Sequence, residues 1–254
     1  MHRLSAAIIA FNEEHNIARC LEALKGLADE ILVVDSHSTD RTAEICTGYG
    51  CRVLQKEFAG YSAQKQFAVD SASGDWVLSI DADEVVTPEL REEIRALMQS
   101  ETIPADGYYL RRDLVYMGRH MHYGETSNES ILRLFDRRKG RFNGALVHEK
   151  IVVDGKTAGL RGKLLHYSFR DLDHQARKIQ IYAAKAAEEL AAKGRRYPRI
   201  WVPLKYITTF ITYYIIKGGF LDGHPGFMWA RMRGVYASEK IARTIALSKT
   251  VKKG

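Results

Sequence analysis

Residues 76–84 have the sequence Trp-Val-Leu-Ser-Ile-Asp-Ala-Asp-Glu, an apolar run that ends in a group of acids. A short apolar run of this kind predicts a buried strand from Trp76 to Ile80. Side chains alternate along an extended chain, so Asp81 and Asp83 are expected to point to the same side. Two such carboxylates predict a site for Mg²⁺ or Mn²⁺. A solvated acidic turn before a helix is the alternative.

The same design occurs upstream, where Val33-Val34-Asp35-Ser36-His37-Ser38-Thr39 joins an apolar run to an acid and small hydroxyl residues. Asp35 is a candidate acceptor of hydrogen bonds from a base or ribose. Alternatively, Asp35 and Ser36 only tie the turn, and Ser38 or Thr39 only caps the next helix.

The surrounding sequence alternates strand and helix patterns. Strands are predicted at 4–10, 31–34, 51–55 and 76–80, and helices at 17–27, 39–49 and 62–71 and from residue 88. This order predicts an α/β fold with a mostly parallel central sheet, which binds ligands at the carboxyl ends of its strands. Short β-like pieces follow at 108–111, 131–135 and 150–153, then a helix at about 171–193.

Four motifs in this order resemble the family-two nucleotide-sugar glycosyltransferases of GT-A fold. They are Ile8-Ile9-Ala10-Phe11-Asn12-Glu13, Val33-Val34-Asp35-Ser36, Gly74-Asp75-Trp76 and Asp81-Ala82-Asp83. The resemblance covers roughly residues 4–90. It implies an inverting transferase that uses a nucleotide diphosphate sugar and a divalent metal.

The resemblance also implies roles for single residues. The donor site would contain Phe11 and Asn12 around the base, with Glu13, Asp35 and Ser36 near the nucleoside, while Asp81 and Asp83 serve sugar-ribose contact and metal. Lys65 is a candidate phosphate contact, although the family often has Arg and Asn here, whereas this chain has Gln64-Lys65-Gln66.

Three later motifs resemble a narrower subgroup, the lipopolysaccharide-core β-1,4-glucosyltransferases. They are Val147-His148-Glu149, Leu165-His166-Tyr167-Ser168 and Gly218-Gly219-Phe220-Leu221-Asp222-Gly223. This likeness implies UDP-glucose as donor and an inner-core heptose of lipopolysaccharide as acceptor, on the cytoplasmic leaflet. Another nucleotide sugar or a polyprenyl phosphate acceptor is the alternative within the enzymes, and a non-catalytic nucleotide-binding module is the alternative outside them.

Inversion requires a carboxylate that takes the proton of the acceptor hydroxyl. Glu149 is the first candidate for this base and Glu125 the second; each is alternatively an ordinary surface acid. His166 is a candidate third metal ligand or diphosphate contact, and otherwise a satisfied core residue. His148 is a weaker candidate for the same role.

The positive charge is concentrated at one end of the chain. Residues 195–254 contain 12 Lys/Arg and 2 Asp/Glu, whereas the rest of the chain contains 26 Lys/Arg and 29 Asp/Glu. The apolar segment Ile200 to Ile216 is shorter than a spanning helix, and its aromatics alternate with cations. We therefore predict peripheral association with an anionic membrane surface. A helix pair that packs these aromatics onto the catalytic domain is the alternative.

These patterns together predict the organisation of the chain. We expect a catalytic domain at 1–194, with a nucleotide-sugar half at about 1–106 and an acceptor half at about 107–194, and a basic, helical extension at 195–254. No signal peptide is recognised, and three cysteines without a CxxC pair predict reduced thiols, so a cytoplasmic protein is expected. Nucleic acid is not an expected partner, because no recognition motif accompanies the basic charge.

Overall fold

The computed structural model describes residues 2–144, 149–169 and 171–250. The chain divides into two compact units, one of Met1–Asp113 with Asn128–Tyr167 and one of Leu114–Ser127 with Ser168–Gly254. The expected domain boundary at residue 194 remains a prediction.

The first hundred residues alternate strands and helices. The strands are β1 (Leu4–Ala10), β2 (Glu30–Asp35), β3 (Arg52–Gln55), β4 (Trp76–Asp81) and β5 (Glu84–Val86). The helices are α1 (Ile17–Leu24), α2 (Thr42–Gly48), α3 (Tyr61–Ser71) and α4 (Pro88–Gln99). Thr87 caps α4, since its hydroxyl oxygen accepts the Leu90 N–H at 3.3 Å.

The rest of the chain contributes mainly short strands and then long helices. The strands are β6 (Gly107–Tyr116), β7 (Arg119–His120), β8 (Glu129–Asp136), β9 (Gly140–Phe142), β10 (Ile151–Val153) and β11 (Thr157–His166). The helices are α5 (Leu172–Ala192), α6 (Trp201–Ile211) and α7 (Gly223–Thr250), with a π-helical turn at Thr212–Ile216 and a 3₁₀ turn at Gly219–Asp222.

The strand order in the main sheet is β3-β2-β1-β4-β8-β6-β11-β5, and β7 pairs with β6. The first four strands pair in parallel. Strand β8 runs antiparallel to β4 and β6, and β5 runs antiparallel to β11. The α/β fold with parallel central strands and a helical C-terminal part is therefore confirmed.

Two hydrophobic cores form from the alternating side chains of the central strands. In β1, Leu4, Ala6 and Ile8 belong to a core with residues of α1 and α4, whereas Ala7 belongs to a second core with residues of α3. Burial on both sides explains why these strands are continuous apolar runs. The three cysteines are free thiols, as expected.

The second unit has an aromatic cluster of its own. Tyr116 makes edge contacts with Phe169 and Trp229, at ring-centre distances of 6.1 and 5.5 Å. Its buried hydroxyl donates to Oε1 of Gln175 at 2.5 Å. A buried hydroxyl with a partner costs little, so this contact fixes α5 against the cluster.

Strand β11 was not expected from the sequence, because its two glycines and its charges have low strand propensity. Packing explains it: a Cβ atom added to Gly162 would lie 2.3 Å from Cα of Leu90 in α4. The missing side chain is what allows helix and strand to approach.

Gly162→Ala is therefore expected to lower the free energy of unfolding by about 2 kcal/mol or more, because the backbone of α4 must shift. Gly159→Ala on the same strand is the matched control, since a Cβ there meets nothing within 4 Å. Urea unfolding of both variants checks this; equal stabilities would contradict it.

Candidate active site

Three parallel strands end at the same level of the sheet. Ala10 at the end of β1 pairs with Asp35 at the end of β2. On the other side, Ile9 pairs with Asp81, the last residue of β4. The residues that follow these strands therefore share one edge, where parallel sheets bind their ligands.

The loop after β1 is tied to the loop after β2 through Asn12. Its backbone N–H donates to the hydroxyl of Ser38 at 2.9 Å, and its side-chain oxygen accepts the Thr39 N–H at 2.8 Å. Asn12 has φ 55°, in the left-handed region that Asn tolerates. Phe11, before it, leaves 57% of its surface exposed, so an aromatic ring lies open at this edge.

Glu13 holds the entry to α1. Its backbone N–H donates to the hydroxyl of Thr42 at 2.8 Å, and its carboxylate accepts from the amide of Asn16 at 2.9 Å. These contacts account for Glu13 structurally, and its predicted role in donor binding remains a prediction.

Asp35 is fully buried and both of its oxygens take hydrogen bonds from Ser38, one from the backbone N–H at 3.0 Å and one from the hydroxyl. The hydroxyl of Ser36 accepts from the side chain of Gln64 at 3.1 Å. Both residues thus stabilise the turn after β2 through these hydrogen bonds. Their contact with a nucleoside remains a prediction.

The carboxylate of Asp81 lies between two cations. Nζ of Lys65 is 2.8 Å from one oxygen, and Nη2 of Arg133 is 2.7 Å from the other. Burial alone would raise the pKa of Asp81, but the charges of Arg133 and Lys65 hold it well below its usual range. Asp81 therefore remains ionised.

Arg133 continues the network to Glu84, whose side chain is fully buried. Oε1 of Glu84 lies 2.8 Å from Arg133 and 3.0 Å from Arg112, and its other oxygen accepts the Asp81 N–H at 3.0 Å. Buried charges of both signs are thus balanced, as burial requires.

Asp83 pairs with His166, which ends β11. Nε2 of His166 lies 3.2 Å from a carboxylate oxygen of Asp83. Burial alone would lower the pKa of His166, but the hydrogen bond and negative charge of Asp83 raise it above its ordinary value. The structure thus brings together two of the three predicted metal ligands.

The geometric reason for placing Asp81 and Asp83 on one side is wrong. Strand β4 ends at Asp81, and residues 82 and 83 form a turn, so strand alternation does not extend to Asp83. The early turn brings Glu84 into β5, where it pairs with His166 of β11.

The residues present fit a divalent metal whose coordination a substrate completes. Among residues 2–144, 149–169 and 171–250, no group of three or more His, Cys, Asp or Glu side chains is arranged to hold an ion. Asp83 and His166 offer an oxygen and a nitrogen ligand, while Asp81 is already engaged by cations. Mg²⁺ commonly binds through one or two carboxylates together with substrate phosphates.

Glu149 belongs to the same series of ion pairs, which we call the ionic chain. Its members, in order of contact, are Glu149, Lys65, Asp81, Arg133, Glu84 and Arg112. Oε1 of Glu149 is 3.3 Å from Nζ of Lys65, whose own side chain is almost fully buried. Lys65 thus joins Glu149 to Asp81. His148, the weaker metal-ligand candidate, lies outside the described residues.

Glu125, the second candidate base, belongs to the second unit and pairs with Lys217. Hydrogen bonding to Lys217 lowers the pKa of Glu125 below its usual value. The structure does not place Glu125 in the ionic chain that contains Glu149.

Three members of the ionic chain were not predicted from the sequence as site residues: Glu84, Arg112 and Arg133. A usable signal for Arg133 exists, because it interrupts the apolar run Ile131 to Phe135 and a cation in a buried strand needs a partner. The partners of Arg112 depend on strand register, which the sequence does not show.

In parallel α/β sheets, ligands bind at the carboxyl ends of the strands, and here acids and cations gather at that edge. This chain belongs to glycosyl transferase family 2, whose profile matches residues 5–166. It is therefore a glycosyltransferase, as its sequence predicts.

Two curated relatives extend along most of the chain. The lipopolysaccharide core biosynthesis glycosyltransferase LpsC of Rhizobium meliloti is 34% identical over 244 residues, which cover 92% of this chain and 88% of that protein. An uncharacterized glycosyltransferase of Rickettsia typhi is 30% identical over 238 residues, or 90% and 82% of the two chains.

Among solved structures, the chain is similar to glucosyl-3-phosphoglycerate synthase from Mycobacterium tuberculosis, crystallised with Mn²⁺, UDP and glucosyl-3-phosphoglycerate. The identity is 23% over 46% of this chain and 45% of that one, with a TM-score of 0.34. A likeness at this level carries no argument about the site.

Arg133→Met is expected to lower the free energy of unfolding by about 3 kcal/mol at pH 7, because it removes the buried cation that Asp81 and Glu84 share. Arg138→Met is the matched control, since its ion pair with Asp136 involves a side chain that is 71% exposed and contributes less than about 1 kcal/mol. Urea unfolding measures both.

The contribution of Asp81 to folding stability depends on pH in a definite direction. Asp81 has a lowered pKa, so its stabilising contribution is present above its unfolded pKa and is lost as the pH falls through the folded one. Arg133→Met removes one of the cations beside Asp81 and so raises the pKa of Asp81 in the folded state. The midpoint of acid unfolding of this variant should therefore move to higher pH. An unchanged midpoint would contradict the pairing.

Proposed function

We propose that this glycosyltransferase moves glucose from UDP-glucose to a heptose of the lipopolysaccharide inner core, with inversion and in a single metal-assisted displacement. The observation that carries the proposal is the ionic chain Glu149–Lys65–Asp81 at the carboxyl edge of the sheet. The similarity to LpsC, a lipopolysaccharide core biosynthesis glycosyltransferase, supports the acceptor class. The donor rests on the resemblance of the later motifs to the β-1,4-glucosyltransferases.

The donor's base would lie at the end of β1. The exposed ring of Phe11 offers a face for stacking, and Asn12 already fixes that loop against the loop after β2. Asp35 and Ser36 in the second loop would then adjoin the ribose. Glu13 would support the pocket from the start of α1.

The diphosphate would lie near Asp83 and His166. These two side chains would hold Mg²⁺ or Mn²⁺, and the metal, when bound, neutralises the charge that builds on the leaving diphosphate. Lys65 adds a second positive group there, because its ammonium reaches Asp81, two residues before Asp83.

Transfer itself requires only one proton acceptor. The oxygen of the acceptor hydroxyl attacks the anomeric carbon as the bond from that carbon to the diphosphate oxygen breaks, and the hydroxyl proton passes to Glu149. The contact of Glu149 with Lys65 holds its carboxylate in place beforehand. UDP leaves with the negative charge.

Asp83→Asn is expected to lower transfer by about 100-fold or more, because one metal ligand is lost and metal stabilisation of the leaving group amounts to several kcal/mol. Asp154→Asn, at an exposed acid of the first unit, is the control and should retain full activity. The measurement is release of UDP from UDP-glucose with Mn²⁺ and truncated lipopolysaccharide. Substantial metal-dependent activity in Asp83→Asn would sink its metal role.

Glu149→Gln separates catalysis from binding. Loss of a general base should lower kcat by about 10²- to 10⁴-fold, while the Kd for UDP changes little. Glu125→Gln should leave kcat within about twofold, since its ion pair is with Lys217 of the second unit and not with Lys65. The reverse order of effects would assign the base to Glu125. No turnover by the wild type with any donor, despite UDP binding, would indicate a non-catalytic module.

A further inference from the structure

A line of exposed aliphatic side chains runs along α6 and the π-helical turn after it. We call it the aliphatic stripe; its members are Ile200, Leu204, Ile207, Ile211 and Ile215, which are exposed by 66, 43, 51, 44 and 54%. Their spacing of three or four residues places them on one helical face. None of the residues of α6 is buried.

The other face of α6 carries the packing. Tyr206 stacks on Phe210 at 6.4 Å, and Phe210 and Tyr214 both make edge contacts with Phe227 of α7, at 5.6 and 5.7 Å. These aromatics were expected at a membrane interface, but they hold helices of the second unit together. The apolar surface that remains exposed is aliphatic.

Charge indicates what covers the stripe. Residues 195–221 contain five cations and no acid. Three of them, Arg195, Arg196 and Arg199, directly precede the stripe; Lys217 follows it but pairs with Glu125. A second copy of the chain would oppose like charge to like charge, whereas an anionic lipid surface complements both the cations and the apolar face.

Length indicates how the segment would lie. Sixteen helical residues from Trp201 to Ile216 extend over about 24 Å, short of the roughly 30 Å of a hydrocarbon core. Within the part of the chain that the structure describes, no helix is long and apolar enough to cross a membrane. A helix with one apolar face and flanking cations lies in the plane of the interface instead.

We propose that the aliphatic stripe seats this protein on an anionic lipid surface, with α6 parallel to the membrane plane. The stripe contains none of the residues assigned to donor binding, metal or proton transfer. The inference therefore goes beyond the proposed transfer reaction and does not depend on the identity of donor or acceptor.

The test is cosedimentation of the full chain with vesicles of phosphatidylcholine containing phosphatidylglycerol, compared with phosphatidylcholine alone. Wild type should bind the anionic vesicles, and binding should fall with salt. The double variant Ile207→Glu with Ile211→Glu should bind these vesicles at least about tenfold more weakly than the wild type, a loss of about 1.4 kcal/mol in binding free energy.

A matched control is the double variant Ile181→Glu with Tyr182→Glu. These residues lie on α5 of the same unit and are exposed by 56 and 55%. It should bind vesicles as the wild type does. Circular dichroism and unchanged UDP binding show that each variant is folded, and they separate loss of seating from loss of the donor site.

Three results would overturn the proposal: no vesicle binding by the wild type, equal binding by the stripe variant, or equal loss in the α5 control. Light scattering supplies a fourth. A wild-type dimer that the stripe variant converts to monomer would assign the stripe to a second copy of the chain.

Discussion

The ion pairs of Asp81 with Lys65 and Arg133 are the interaction on which the rest of the site depends. A carboxylate at the end of a buried strand needs cations, and these come from α3 on one side and β8 on the other. Pairing therefore fixes the helix and the antiparallel strand against the parallel sheet. Both oxygens of Asp81 are engaged by these cations, so Asp83, which pairs with His166, is the carboxylate that we propose as the metal ligand.

The fold was predictable where burial is two-sided. Apolar runs at β1, β2 and β4 identify parallel strands, because every side chain there enters one of two cores. Strand β11 was not predictable in this way. Its glycines lower strand propensity, and only the close approach of Gly162 to Leu90, a contact distant in sequence, explains the strand.

The site was predictable in part. Acids at the ends of strands identify Asp35, Asp81 and Asp83 because the sheet brings those ends to one edge. The cations of the site were mostly missed. Arg133 reaches Asp81 only through the antiparallel pairing of β8 with β4, and register between strands far apart in sequence cannot be read from local patterns.

In the C-terminal segment, Tyr206, Phe210 and Tyr214 make ring contacts within their own unit, and their seating at a membrane interface remains a prediction.

Turnover of the donor by the purified protein tests the proposed transfer most directly. The measurement is release of UDP from a panel of nucleotide sugars, with Mn²⁺, Mg²⁺ or EDTA, in the presence and absence of truncated lipopolysaccharide. We predict release from UDP-glucose only when both a divalent metal and the acceptor are present. Release that persists in EDTA, or no release from any donor by a protein that binds UDP, would contradict the metal-assisted transfer proposed for Asp83, His166 and Glu149.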